Sequence, residues 1–278
     1  MRVWLGVSLL IFGILALAVP GFLLWASAPF WRFAGVAALW QSEWFPHEQR
    51  FGLLPAILGS FLAAATALMI AVPGGIAAAL VSTEMLPRPL RRFVRTVLEV
   101  FAAIPSVVYG LLGIWLLLPA LAGWFGLLTG HSLLAAGLIL SLMVLPTITA
   151  LSEAALGAIP NEQRETALAL GLDWPQLLCR VLLPQAWPGI RSSILLALGR
   201  TLGETMAVML VVGSLDRLPQ PWWNLLQPAQ TLTSRIGREI GEAAWGSLHF
   251  SALMGCATLL GVGGAMIAVF IRTRRNLP

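Results

Sequence analysis

Six long apolar runs set the terms on which this sequence can fold: Val3 to Trp25, Leu53 to Val81, Thr96 to Leu118, Leu133 to Leu156, Ile194 to Val212 and Phe250 to Ile271. About 20 consecutive apolar residues suffice for a helix to cross a bilayer, and a helix satisfies its backbone polar groups within its own segment. The expected fold is all-α, a polytopic membrane protein of six transmembrane helices with both termini on one side. Composition agrees, with 58% hydrophobic and only 10% charged residues among 278, where soluble domains average roughly 25% charged. The first run is preceded by Arg2 and followed by Ala26-Ser27-Ala28, which imitates a signal-peptidase site. It exceeds the usual apolar length of a signal peptide and Pro29 would follow the cut, so it is expected to stay as the first transmembrane helix.

The net charge of +5 comes from arginine alone, since the chain has no lysine. A basic chain invites a nucleic-acid reading, but no basic face is interleaved with exposed aromatics, so no nucleic-acid partner is expected. The arginines report topology instead. Eleven fall on the side of the short loop holding Arg88, Arg91, Arg92 and Arg95, five on the other, and Arg200 lies within a run. By the positive-inside rule the termini and that loop face the cytoplasm. Residues 1–50 then form the first helix and an outer loop with Trp31, Trp40 and Trp44 as interfacial tryptophans, and residues 51–278 a five-helix core. Cys179 and Cys256 sit too far apart in this topology to pair, and His47, His131 and His249 are isolated near run ends, as solvated interfacial groups. No disulfide and no metal site are expected.

A polar island, NEQRETALALGLDWPQLLCRVLLPQAWPG, separates the fourth and fifth runs within a loop at 158–190. Glu162 to Leu170 is rich in helix formers and Gly171 is a natural stop. Asp173 caps a second helix, with Gln176 in capping-box spacing, expected to break before Pro184. The first helix would be ~13 Å long, enough to lie across a membrane surface but not to span it. The order Glu165, Thr166, Ala167, then Gly171, then Val181, Leu183 and Pro184 resembles the EAA loop of ABC importer permeases. The spacing is kept, with Thr166 in place of Ala and Val181 in place of Ile. In that family the first short helix is the coupling helix that docks on the ATPase. The resemblance therefore implies coupling roles for Glu162, Glu165, Ala167, Gly171, Leu183 and Pro184, and a type I, MetI-like permease fold.

Inside the fifth run, Arg200 and Glu204 stand four apart, on one helical face. Ionisable groups at this depth mark pathways or bundle interiors. A planar guanidinium can hold a phosphate-like oxyanion through two parallel hydrogen bonds, with Glu204 orienting it. A structural ion pair fixing helix packing is the alternative. Glu99, near the edge of the third run, is expected to pair with Arg95. Glu153 is placed at the membrane edge beside the island, and Tyr109 and Ser106 could offer hydrogen bonds.

The stretches LEVFAAIPSVVYGLLGIWLLLP and LGRTLGETMAVMLVVG, with FGLLPAILGSF and TLTSRIGREIGEA, are similar to permeases of the Pst-type phosphate importer, closer to PstC than to PstA, from Phe51 onward. This resemblance implies a permease for inorganic phosphate in the cytoplasmic (inner) membrane, surrounded by lipid. Its implied partners are a second, PstA-like permease subunit, two cytoplasmic ATPase subunits and an extracytoplasmic phosphate-binding protein. The chain itself would hold no cofactor, ATP being bound by the partners. Lacking lysine, it contains no G-x-x-x-x-G-K-[ST] loop. A permease for sulfate or molybdate, or a non-transporting signalling or assembly subunit, would share much of this pattern. A membrane-embedded enzyme would need convergent acid, base or metal residues, which the scattered histidines and unpaired carboxylates do not supply.

Overall fold

The computed structural model describes residues 2–275. The side chains of Arg2, Arg272, Arg274 and Arg275, used above for topology, lie outside the described ones. The helices are α1 (Arg2–Ala34), α2 (Leu54–Leu80), α3 (Arg88–Ala103), α4 (Ser106–Leu112), α5 (Leu118–Phe125), α6 (Leu133–Gly157), α7 (Asn161–Ala169), α8 (Trp174–Leu177), α9 (Leu183–Gly203), α10 (Met206–Val211), α11 (Leu232–Glu239) and α12 (Leu248–Arg275). Six spans among the described residues are long and apolar enough to cross a membrane. A two-residue hairpin, β1 (Trp44–Phe45) and β2 (Arg50–Phe51), pairs Trp44 with Phe51 between α1 and α2.

The bundle is built on α2 and α6, whose facing surfaces carry small residues. A Cβ on Gly75 would come within 2.7 Å of Ile148, and one on Gly137 within 2.5 Å of Thr66. Lipid gives no hydrophobic drive for helices to associate, so close backbone approach and dispersion hold this pair together. One apolar cluster joins α2, α4, α6 and α10 through Ala63, Ala67, Tyr109, Ile139, Leu140, Val208 and Val211. Helix α1 packs against α12, where Ala26, Phe30 and Leu253 are buried and Thr258 hydrogen-bonds Ser27 at 3.2 Å.

Prolines decide where the spans deviate from straight α-helix. Three π turns, Val81–Met85, Gly113–Leu117 and Leu178–Leu182, each end two residues before a proline. Leu86, Leu118 and Leu183 donate their N–H to the carbonyl five residues back, and Pro87, Pro119 and Pro184 follow. Proline removes one ladder donor and its ring crowds the carbonyl four residues earlier. Widening the preceding turn relieves both. The helix begun at Asp173 therefore does not break before Pro184: it passes through the π turn into α9, and Trp174–Gly203 forms one apolar span of 30 residues.

Two further boundaries differ from the hydropathy reading. The third span is Ser106–Phe125 rather than Thr96 to Leu118. Pro105 holds Ile104 extended, at φ −64° and ψ 127°, which separates the arginine-rich helix α3 from α4. The fifth run is not one helix to Val212, because α9 stops at Gly203 and Glu204 is extended, at φ −74° and ψ 124°.

Candidate functional site

The short helix α7 and its bend to α8 form as their residues dictate. Gly171 takes φ +81°, a conformation that favours glycine, and the Asp173 carboxylate accepts the Gln176 N–H at 2.9 Å. Ala167 is buried with Ile159, Leu177 and Leu182, while Glu162, Glu165, Leu168 and Leu170 stay exposed. Leu183 is half-buried and Pro184 exposed at the start of α9. What fastens α7 to the bundle is a contact the sequence reading lacks. Arg164 pairs with Glu84 at 3.0 Å and donates to the Leu156 carbonyl at 2.9 Å. One guanidinium thus ties the protruding helix to the ends of α2 and α6.

Arg200 and Glu204 do not form the ion pair that their spacing allows, because α9 ends between them. The four-residue relation puts groups on one face only while the helix continues. Glu204 turns away instead: its Oε1 accepts the Ala207 N–H at 3.3 Å, at the start of α10. Its carbonyl accepts the Thr233 hydroxyl of α11 at 2.8 Å, so α11 supplies the donor that the broken ladder lacks. Arg200 is exposed and makes one long hydrogen bond, Nη1 to Thr147 Oγ1 at 3.4 Å. A guanidinium has five N–H donors, so most of this one's capacity faces open space.

Thr147 also lines a cavity of about 730 Å³ between α3, α6 and α9, with Arg91, Arg95, Glu99, Glu153 and Leu196 among its walls. Glu99 pairs with Arg95 at 3.1 Å, as the sequence suggests. The Tyr109 hydroxyl donates to the Phe101 carbonyl at 2.7 Å, bridging the α3–α4 break rather than facing this space.

At the other end of the bundle a charged cluster is folded into the core. Arg235 is fully buried; its guanidinium donates to Asp216 and to the Gly52 carbonyl at 3.2 Å, and lies 4.0 Å from the centre of the Trp44 ring. Trp44 is 4% exposed and donates its indole N–H to Glu239 at 2.9 Å. This corrects its assignment as an interfacial tryptophan: the hairpin turns it inward. His249 is likewise not a solvated group, since its Nε2 lies 2.8 Å from Glu239. No local sequence signal announces this cluster, whose members come from segments 195 residues apart.

A bundle with a span broken just beyond an arginine, a cavity that shares Thr147 with that arginine, and a protruding helix braced against two spans fits a membrane permease. The chain belongs to the binding-protein-dependent transport system inner membrane component family, whose model matches residues 71–272. It is a permease component of ABC importers and not itself an enzyme, ATP hydrolysis residing in partner subunits. Among relatives, it is 36% identical over 232 residues to the probable ABC transporter permease protein YqgH of Bacillus subtilis, covering 83% of this chain and 74% of that one. It is 35% identical over 257 residues to the phosphate transport system permease protein PstC of Mesorhizobium japonicum, covering 86% and 77%. A solved bacterial alginate ABC transporter in complex with its alginate-bound periplasmic protein shares the fold, with TM-score 0.67 at 19% identity over 99% of this chain and 95% of that one.

Proposed function

We propose that this chain is the PstC-type permease subunit of an ATP-driven importer, carrying inorganic phosphate across the cytoplasmic membrane. The observation that carries the reading is Arg200 at the break of the fifth span, with most of its guanidinium donors free of protein partners. A planar fork suits an oxyanion bound through two hydrogen bonds. Glu204, engaged at the start of α10, leaves that fork open while keeping a negative charge one residue beyond the break, which moderates the hold on the anion. The arginine excess puts α7 and both termini in the cytoplasm. There Glu162, Glu165, Leu168 and Leu170 offer an exposed docking face to an ATPase subunit. The complete machine has a second, PstA-like permease subunit, two such ATPases and an extracytoplasmic phosphate-binding protein. Closure of the ATPases pulls on α7, and the Arg164 brace passes that motion to α2 and α6.

The test is radiolabelled phosphate uptake in cells whose only phosphate importer is this system, with unlabelled sulfate and molybdate as competitors. Arg200→Ala is expected to abolish uptake while the complex still co-purifies. Wild-type uptake rates in Arg200→Ala would remove Arg200 from the pathway, and competition by sulfate would reassign the substrate.

A further inference from the structure

The cavity between α3, α6 and α9 holds a group with no structural use. Glu153 on α6 is 9% exposed, and its Oε1 is buried without a hydrogen-bond partner. Its neighbour Ser152 lies 3.4 Å from Ser193 of α9, which fixes this turn of α6 against α9, so the carboxyl is held by packed backbone. A buried carboxyl oxygen left unsatisfied is costly and calls for a missing partner. The charged groups around the same space are Arg91, Arg95 and Glu99 from α3, with the Arg95–Glu99 pair already closed. From α6 come Glu153 and Thr147, and Thr147 is the hydroxyl on which Arg200 of α9 rests. The cavity therefore presents guanidinium and hydroxyl donors together with one unused acceptor.

We propose that Glu153 is the specificity-determining residue of the translocation route, accepting a hydrogen bond from the O–H of a protonated tetrahedral oxyanion. This rests on the reading of the chain as a phosphate permease and names what selects phosphate within it. Phosphate near neutral pH carries at least one proton, so it offers a donor to Glu153 and acceptor oxygens to Arg91 and Thr147. Sulfate has the same shape but no proton, and would set a bare anionic oxygen against a buried carboxylate. A site built to accept a hydrogen bond rejects an analogue lacking the donor far more strongly than shape alone can. Rejection here works through an unpaired like-charge contact, which is how specificity is commonly built.

The binding protein also selects substrate, so the test removes it. Radiolabelled inorganic phosphate is bound at equilibrium to the purified permease–ATPase complex without binding protein, with sulfate as competitor. Wild type is expected to prefer phosphate over sulfate by about ten-thousandfold. Glu153→Gln, whose amide can donate to sulfate, should bind phosphate about tenfold more weakly and lose most of that preference, while Glu153→Asp should retain it. Unchanged preference in Glu153→Gln overturns the proposal, as does an equal loss of phosphate and sulfate binding, which would make Glu153 a structural or gating group. Should Glu153→Gln not assemble, a Glu153→Asp complex that has lost the preference counts against the proposal and one that keeps it counts in favour. Phosphate uptake by wild-type cells separates the two levels. No uptake removes the phosphate reading itself, whereas normal uptake with carboxyl-independent binding removes only the role of Glu153.

Discussion

Arg200 shows how much a single side chain's surroundings decide at the residue scale. Replacing it with lysine keeps the charge but loses the planar fork. We expect Arg200→Lys to lower phosphate uptake by about tenfold or more while complex yield is unchanged, read from initial uptake rates. Arg235 tests the opposite situation, a charge enclosed among protein partners. Arg235→Ala leaves Asp216 with only the longer pair to Arg238, at 3.8 Å, and a void beneath Trp44. Because Asp216 is partly exposed, the cost should fall near the lower end for a broken buried pair, about 3 kcal/mol. Thermal unfolding of the purified protein, followed by tryptophan fluorescence, should show the lowered midpoint.

At the scale of elements, the proposed coupling can be tested. The bend between α7 and α8 depends on Gly171, where φ is +81° and no atom lies within 4 Å of the Cβ position. Space is therefore not the obstacle to a side chain there, only backbone conformation. Gly171→Ala should cost about 1 kcal/mol locally and favour a straighter connection, weakening co-purification with the ATPase subunits without lowering membrane insertion. Arg164→Ala acts differently, since it leaves the exposed face of α7 intact and cuts the brace to Glu84. The ATPase subunits should still attach, but hydrolysis should lose its stimulation by substrate-loaded binding protein. Both outcomes are measured by pull-down and phosphate-release assays on the same preparations.

For the whole molecule, topology is testable with native cysteines. Cys179 is exposed beside α8 and Cys256 is fully buried within α12. With the α7 end in the cytoplasm, a membrane-impermeant maleimide should label Cys179 in inside-out vesicles and spare it in right-side-out ones. Cys256 should react only after denaturation. Labelling of Cys179 from outside would invert the bundle and with it the coupling role of α7. The same experiment bears on α11, which lies at the other end and reaches the broken span through Thr233.

Hydropathy, proline, glycine and capping residues act over a few positions, so six spans, the α7–α8 bend and the Asp173 cap could be read from the amino-acid order alone. The charge pattern likewise predicts that the α7 end faces the cytoplasm. The termination of α9 at Gly203 could not be read that way, because it depends on Thr233, 29 residues on, meeting the carbonyl that the break exposes. The same holds for Trp44, in a loop of polar and aromatic residues, which sequence alone places at an interface and packing places under Arg235. Glu153 was assigned to the membrane edge; only the packing of α3, α6 and α9 encloses it in a cavity without a partner. Local chemistry determines which helices form, while the partner of a buried charge is set by contacts between distant segments, and those exist only once the bundle has closed.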